Sequence, residues 1–122
     1  LPPSKQKKKQ AYARGVFSEK MAALFLRAKG YKILAQRYRT PHGEIDLVTK
    51  KNNCLVFVEV KARKTLEDGL YSILPKQQQR IMAAAEMWIA EKGVDFEGCR
   101  FDVVLLTPKG LPTHIKNAFM QE

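Results

Sequence analysis

Cysteine and histidine are scarce in this chain: Cys54 and Cys99, His42 and His114, and no CxxC pair among them. A four-ligand zinc centre needs such residues clustered at short spacing, so none is expected. The two thiols are expected to sit half-buried and reduced, as in cytoplasm. Long apolar runs are also missing. No stretch approaches the roughly 20 residues that span a bilayer, and no basic amphipathic segment marks a membrane-surface helix. Pro2, Pro3 and the lysines behind them are unlike a secretory leader, so a cytoplasmic location with no membrane partner is expected.

Acidic residues are the third shortage. Twelve Asp and Glu face twenty-two Lys and Arg, a formal net charge of +10. A fold does not need that excess, which works against compaction. Lys5, Lys7, Lys8 and Lys9 supply four of the ten charges and leave six to the rest of the chain. An anionic partner is the usual reason to carry such a balance, and nucleic acid is the expected one, ahead of an anionic membrane. The 122 residues are 45% hydrophobic, ordinary for one folded domain.

Residues 1–11 read as a disordered basic arm, and 12–122 as a single domain. Phe17, Met21, Leu24, Phe25 and Ala28 repeat at helical spacing, which predicts a helix buried along that stripe and stopped at Gly30. A strand is expected over Tyr31–Arg39, a turn at Pro41, His42 and Gly43, and strands over Glu44–Thr49 and Cys54–Lys61, the last two joined by a polar hairpin. Residues 62–71 read as an exposed loop. Pro75 opens a second helix that Gly93 closes. The continuous apolar run Phe101–Thr107 predicts a strand covered on both faces and parallel to a neighbour. After a turn at Pro108, Gly110 and Pro112, a short strand or helix is expected over Thr113–Met120. The class is α/β, with a mixed sheet flanked by helices.

Alternation along Cys54–Lys61 puts Leu55, Phe57, Glu59 and Lys61 on one side of the sheet, and Val56, Val58 and Val60 on the other. In the preceding strand, Glu44, Asp46 and Val48 share a side opposite to Ile45 and Leu47. The hairpin can bring Asp46 to Glu59, although register is not readable to the residue. Two converging carboxylates repel, and either a shared proton or a cation relieves them. Oxygen ligands without His or Cys suit Mg²⁺ or Mn²⁺. A cation beside a lysine is what phosphodiester hydrolysis requires. Spacing alone is equally compatible with surface ion pairs on a hairpin.

Asp46, twelve further residues and then Glu59-Val60-Lys61 resemble the PD-(D/E)xK nuclease signature. Gly43-Glu44-Ile45-Asp46-Leu47-Val48, Val56-Phe57-Val58-Glu59-Val60-Lys61-Ala62-Arg63, Arg100-Phe101-Asp102-Val103-Val104 and Asn117-Ala118-Phe119 together resemble the bacterial YraN-like family over about residues 14–120. That family is itself largely uncharacterised and is grouped with nucleases like the archaeal Holliday-junction resolvases. The resemblance implies a restriction-endonuclease-like αβββαβ core and Mg²⁺-dependent (or Mn²⁺-dependent) endonuclease chemistry on DNA, including branched forms; a binder that kept only the fold is the alternative. It implies Asp46, Glu59, the Val60 carbonyl and Glu19 as metal ligands, with Lys61 as the catalytic lysine. One departure is that the family often has asparagine near the position of Arg37.

Arg39, Arg63, Lys64, Lys76 and Arg80 come from segments expected to flank the same end of the sheet, as a phosphate track would. Gln77–Gln79 open the second helix and resemble polar helix positions of related nucleases. Tyr12, Tyr31 and Tyr38 are candidates for stacking on bases, whereas Trp88 and Asp102 read as structural and His42 as a turn residue. A symmetric homodimer would suit a four-way junction.

Overall fold

The structure, a computed structural model, describes residues 4–119. Residues 1–3 of the expected arm and 120–122 of the expected domain, Met120 among them, lie outside the described residues. Helix α1 spans Lys5–Ala28 and starts seven residues before the predicted domain. The Ser4 hydroxyl caps it by accepting from the Lys7 N–H at 3.2 Å, and Lys, Gln and Ala are good helix formers. Residues 5–11, expected as part of a basic arm, form the exposed first turns of α1. Gly30 follows with φ 92°, the left-handed conformation expected after the helix.

Five strands follow α1: β1 (Lys32–Thr40), β2 (Gly43–Lys51), β3 (Cys54–Ala62), β4 (Gly98–Leu106) and β5 (Thr113–Phe119). They form one sheet in the order β1-β2-β3-β4-β5. Only β3 and β4 are parallel; the other pairs are antiparallel. Asn52 and Asn53, both at positive φ, make the two-residue turn between paired Lys51 and Cys54. The segment predicted as a loop contains a single-turn helix, α2 (Leu66–Leu70), capped by the Thr65 hydroxyl. Helix α3 (Pro75–Lys92) begins on Pro75 and ends at left-handed Gly93, and it carries the crossover from β3 to β4. The helix-and-strand order is thus the expected mixed α/β arrangement, with β5 added at the edge.

The two helices cover opposite sides of the sheet. Ile81, Ala84, Ala85 and Trp88 of α3 pack on Ile45, Val48, Leu55, Phe57, Phe101 and Leu105. Ala22, Ala23 and Leu26 of α1 pack on Leu47, Val56, Val58 and Val104. This inverts the predicted face of α1: Phe17, Met21 and Leu24 are exposed, and the small-residue side carrying Glu19 faces the sheet. The free cysteines lie near the start of the parallel pair, Cys54 half-buried as expected and Cys99 exposed. Among the described residues no helix is long and apolar enough to cross a membrane.

Candidate metal and phosphate site

The geometry begins with a fork between β2 and β3. Their ladder runs from the hairpin turn only as far as Leu47 opposite Val58. Beyond it, β2 continues to Gly43 paired with β1 alone, while β3 continues to Ala62 paired with β4. Were the ladder to run on, the Val60 N–H would face Ile45. Instead it donates to Asp46 Oδ2 at 2.8 Å, so a side-chain carboxylate takes the place of a main-chain acceptor. That bond pins one Asp46 oxygen at the crotch of the fork.

The strands are irregular at the same level. The β1–β2 register passes from Gln36–Leu47 to Tyr38–Ile45, skipping the step of Arg37 and Asp46. Arg37 has φ 51°, a conformation that side chains other than asparagine rarely adopt. The same irregularity breaks the predicted alternation. Ile45 and Val48 pack toward α3 and Leu47 toward α1, so Asp46 is the point where β2 changes sides.

Glu59 continues the Leu55–Phe57 row toward α3, where Gln77 Nε2 donates to its Oε2 at 3.0 Å. The fork lets it meet Asp46 nonetheless. Glu59 is only 7% exposed. Burial, then a hydrogen bond to and charge from Asp46, lift its pKa to about 9, against the opposing pull of Lys61 and Gln77. At neutral pH the pair therefore holds a proton between two carboxyls. Closely apposed carboxyls that must share a proton can release it to a divalent cation instead, and their hard oxygens suit Mg²⁺ or Mn²⁺. The donor chemistry fits such an ion.

On the α1 side the fork opens into a cleft of about 840 Å³ whose lining includes Glu19, Asp46, Val60 and Lys61. Glu19 is 6% exposed and ion-paired with Arg37. Burial, and Asp46 second, raise its pKa, with Arg37 pulling the other way. Among the described residues no group of three or more His, Cys, Asp and Glu is arranged to hold a metal ion. The side-chain donors brought together are thus Asp46 and Glu59; Glu19 lies within electrostatic reach of Asp46 but is engaged by Arg37.

Of the predicted phosphate contacts, Arg39 and Arg63 line the cleft, Arg39 while ion-paired with Glu44. Lys64 lies in an adjoining groove. Lys76 and Arg80 are on α3, across the sheet, and line neither space. The structure adds Arg14 and Arg37 to the lining, giving five cations (with Arg39, Lys61 and Arg63) against Glu19, Glu44 and Asp46. Neither left a signal in periodicity: Arg14 stands five residues before Glu19, off its side of the helix, and Arg37 lies in a strand. Gln77 was read only as a polar helix position and proves to be Glu59's partner.

The stacking candidates separate. Tyr12 is exposed, with the Arg37 guanidinium 4.9 Å from its ring centre. Tyr31 is buried, and its hydroxyl accepts from Arg100 at 2.6 Å. Tyr38 and Trp88 pack in the α3-side core, and His42 is exposed in its turn. Asp102 is fully buried and structural, bound by Arg100, by His114 Nε2 at 2.7 Å and by the Asn117 N–H at 2.9 Å.

Comparison with known proteins places this geometry among relatives. Residues 18–106 match the uncharacterised protein family UPF0102. A UPF0102 protein of Bradyrhizobium diazoefficiens is 51% identical over 111 residues, covering 89% of this chain and 83% of the relative. One from Rhodopseudomonas palustris strain BisB18 is 52% identical over 111 residues, covering 89% and 82%. Another, from strain BisA53, is 47% identical over 120 residues, covering 97% and 92%.

Proposed function

Because the chain belongs to the uncharacterised protein family UPF0102, its activity has to be argued from the site, and we propose that it is a divalent-cation-dependent endonuclease hydrolysing phosphodiester bonds of nucleic acid, DNA foremost. The observation that carries this reading is the buried Asp46–Glu59 carboxyl pair at a strand fork, of which Asp46 lines, with Lys61, a cleft of predominantly positive charge. A protein that only binds nucleic acid gains nothing from acids buried beneath a phosphate-binding surface.

Asp46 and Glu59 would hold Mg²⁺ or Mn²⁺, which when bound polarises a phosphate and makes a bound water more acidic. The remaining tasks belong to the chain. The Val60 N–H keeps Asp46 oriented, and Gln77 keeps Glu59 oriented. Lys61 places positive charge where the transition state gathers negative charge. Arg14, Arg39 and Arg63 position the backbone around the reacting phosphate without reading sequence. Glu19, with Arg37, sets the charge at the back of the cleft.

The test is cleavage of end-labelled DNA with and without Mg²⁺. Lys61→Ala is expected to lower the rate by about 10²–10³-fold and Glu59→Ala to abolish it, both retaining DNA binding by gel shift. Metal-stimulated cleavage surviving in both variants would belong to a contaminant and end the proposal. The engagement of Glu19 by Arg37 leaves two acids rather than three, which favours a second reading: a nucleic-acid binder that retains the fold without catalysis. It forecasts binding by the wild-type protein and no cleavage with either cation.

A further inference from the structure

The outward face of α1 is more apolar than its packing requires. Phe17 is 65% exposed and Met21 40%, although Ala22, Ala23 and Leu26 already seat the helix. These two side chains line a groove of about 660 Å³ together with Leu106 at the end of β4 and Pro108 and Pro112 beyond it. The groove is not separate from the cleft: Arg14, Phe17, Ser18, Ala62 and Arg63 line both. Its charged residues are Arg14, Arg63 and Lys64, and no acidic residue lines it.

An apolar trough edged by cations and continuous with a phosphate-binding cleft matches one ligand chemistry well. A nucleic-acid strand offers phosphates to the cations and flat, weakly polar bases to the trough. Only an unpaired nucleotide can do both, because in a duplex the base faces are already stacked on each other. We propose that this groove receives unpaired nucleotides of the strand that enters the cleft, with Phe17 as the stacking platform. The proposal rests on the phosphate-binding part of the function above and makes its substrate a nucleic acid with single-stranded character at the site. A second copy of the chain is a poorer occupant, since a two-fold interface here would set Arg14, Arg63 and Lys64 against themselves.

Fluorescence anisotropy of the full chain in EDTA tests this, with labelled 20-nucleotide oligothymidylate and a labelled blunt 20-base-pair duplex as probes. Stacking of one base on an aromatic ring corresponds to a loss of about 5- to 150-fold on its removal. Phe17→Ser is expected to weaken single-strand binding within that range, with a loss at least about five times smaller on duplex, while Phe17→Trp restores single-strand affinity. Equal losses on both probes, no loss on either, or a wild-type dimer that Phe17→Ser converts to monomer on size exclusion would each overturn the proposal; the last would make the face a protein interface. If no cation supports cleavage but the Phe17-dependent preference holds, the groove assignment stands and the hydrolytic reading alone falls.

Discussion

Replacing Glu59 by glutamine is expected to make the cation-free protein more stable, by an amount that grows with pH. Glu59 has an ordinary carboxyl pKa of 4.5 when the chain is unfolded and about 9 in the fold, because burial and Asp46 oppose its ionisation. Its folded pKa is raised, so the stability it permits is full below 4.5 and is lost as pH climbs toward 9. Each pH unit in that window costs about 1.4 kcal/mol, because the unfolded chain releases the proton and the folded one does not. At pH 7 the accumulated cost is about 3 kcal/mol, a figure that needs only that the folded group is still protonated there. Glutamine keeps the size of the side chain and an oxygen for Gln77 to donate to, with no proton to lose.

Urea unfolding of wild type and Glu59→Gln in EDTA, at pH 5, 6, 7 and 8, measures the difference directly. The gap should be under about 1 kcal/mol at pH 5, about 3 at pH 7, and still widening at pH 8. A gap that stays constant across the series would mean that Glu59 ionises normally in the fold. A variant less stable than wild type at pH 7 would mean that the carboxyl pair is a net support rather than a cost. Either result removes the physical basis for reading the pair as a cation site.

The other predictions concern the ion, the scaffold and the track. Mg²⁺ at about 100 times its dissociation constant should raise wild-type stability by about 2.7 kcal/mol and should raise that of Glu59→Gln far less, read from urea midpoints at pH 7. Gly43→Ala should lose at least about 1–3 kcal/mol by the same measurement, since an added Cβ would lie 1.9 Å from the Arg80 carbonyl oxygen and force β2 off α3. Asp102→Ala should cost about 1–3 kcal/mol at pH 7, because it removes the acceptor shared by the half-buried Arg100, His114 Nε2 and the Asn117 N–H. Burial alone would raise the Asp102 carboxyl, but bonds from His114, Arg100 and Asn117 hold it below the usual 3.8; its stabilisation is therefore present above that value, and the gap to the alanine variant should close as pH falls beneath it. Arg63→Ala should make the log–log salt dependence of DNA binding shallower by about 0.9, whereas Lys76→Ala, on the far side of the sheet, should leave the slope unchanged.

Elements whose signal is local were legible in the sequence. Pro75 and Gly93 bracket α3 as expected, the asparagine pair turns the hairpin, and the doubly covered run at Phe101 is the parallel strand. The meeting of Asp46 with Glu59 was legible only as a possibility of the hairpin. The reason it happens is non-local: a ladder that stops at Leu47, and a left-handed Arg37 across from Asp46 in the neighbouring strand. Strict alternation assigned Ile45 and Leu47 to one side, and no residue type announces the step that parts them. Lys76 and Arg80 belong to α3, and nothing in their sequence positions says that this helix meets the sheet on the side away from the cleft while its Gln77 still reaches Glu59.

Helix α1 shows where periodicity runs out and function begins. A hydrophobic repeat marks a stripe, and the expectation that the largest side chains are the buried ones placed Phe17, Met21 and Leu24 inside. Glu19 stands about 160° from Phe17 on the helical wheel, so burying that stripe would have turned the carboxylate out to solvent, away from Asp46. Seating the helix on Ala22, Ala23 and Leu26 instead brings Glu19 and Arg14 to the fork. The same rotation leaves Phe17 on the rim of the cleft and Met21 in the adjoining groove. The orientation that delivers charge to the site is therefore also the one that exposes an aromatic ring beside it, and both follow from which face of one helix meets the sheet. A substitution that rotates α1, such as Ala22→Leu against the strands, should disturb cleavage and single-strand preference together, whereas Phe17→Ser acts on the ring alone.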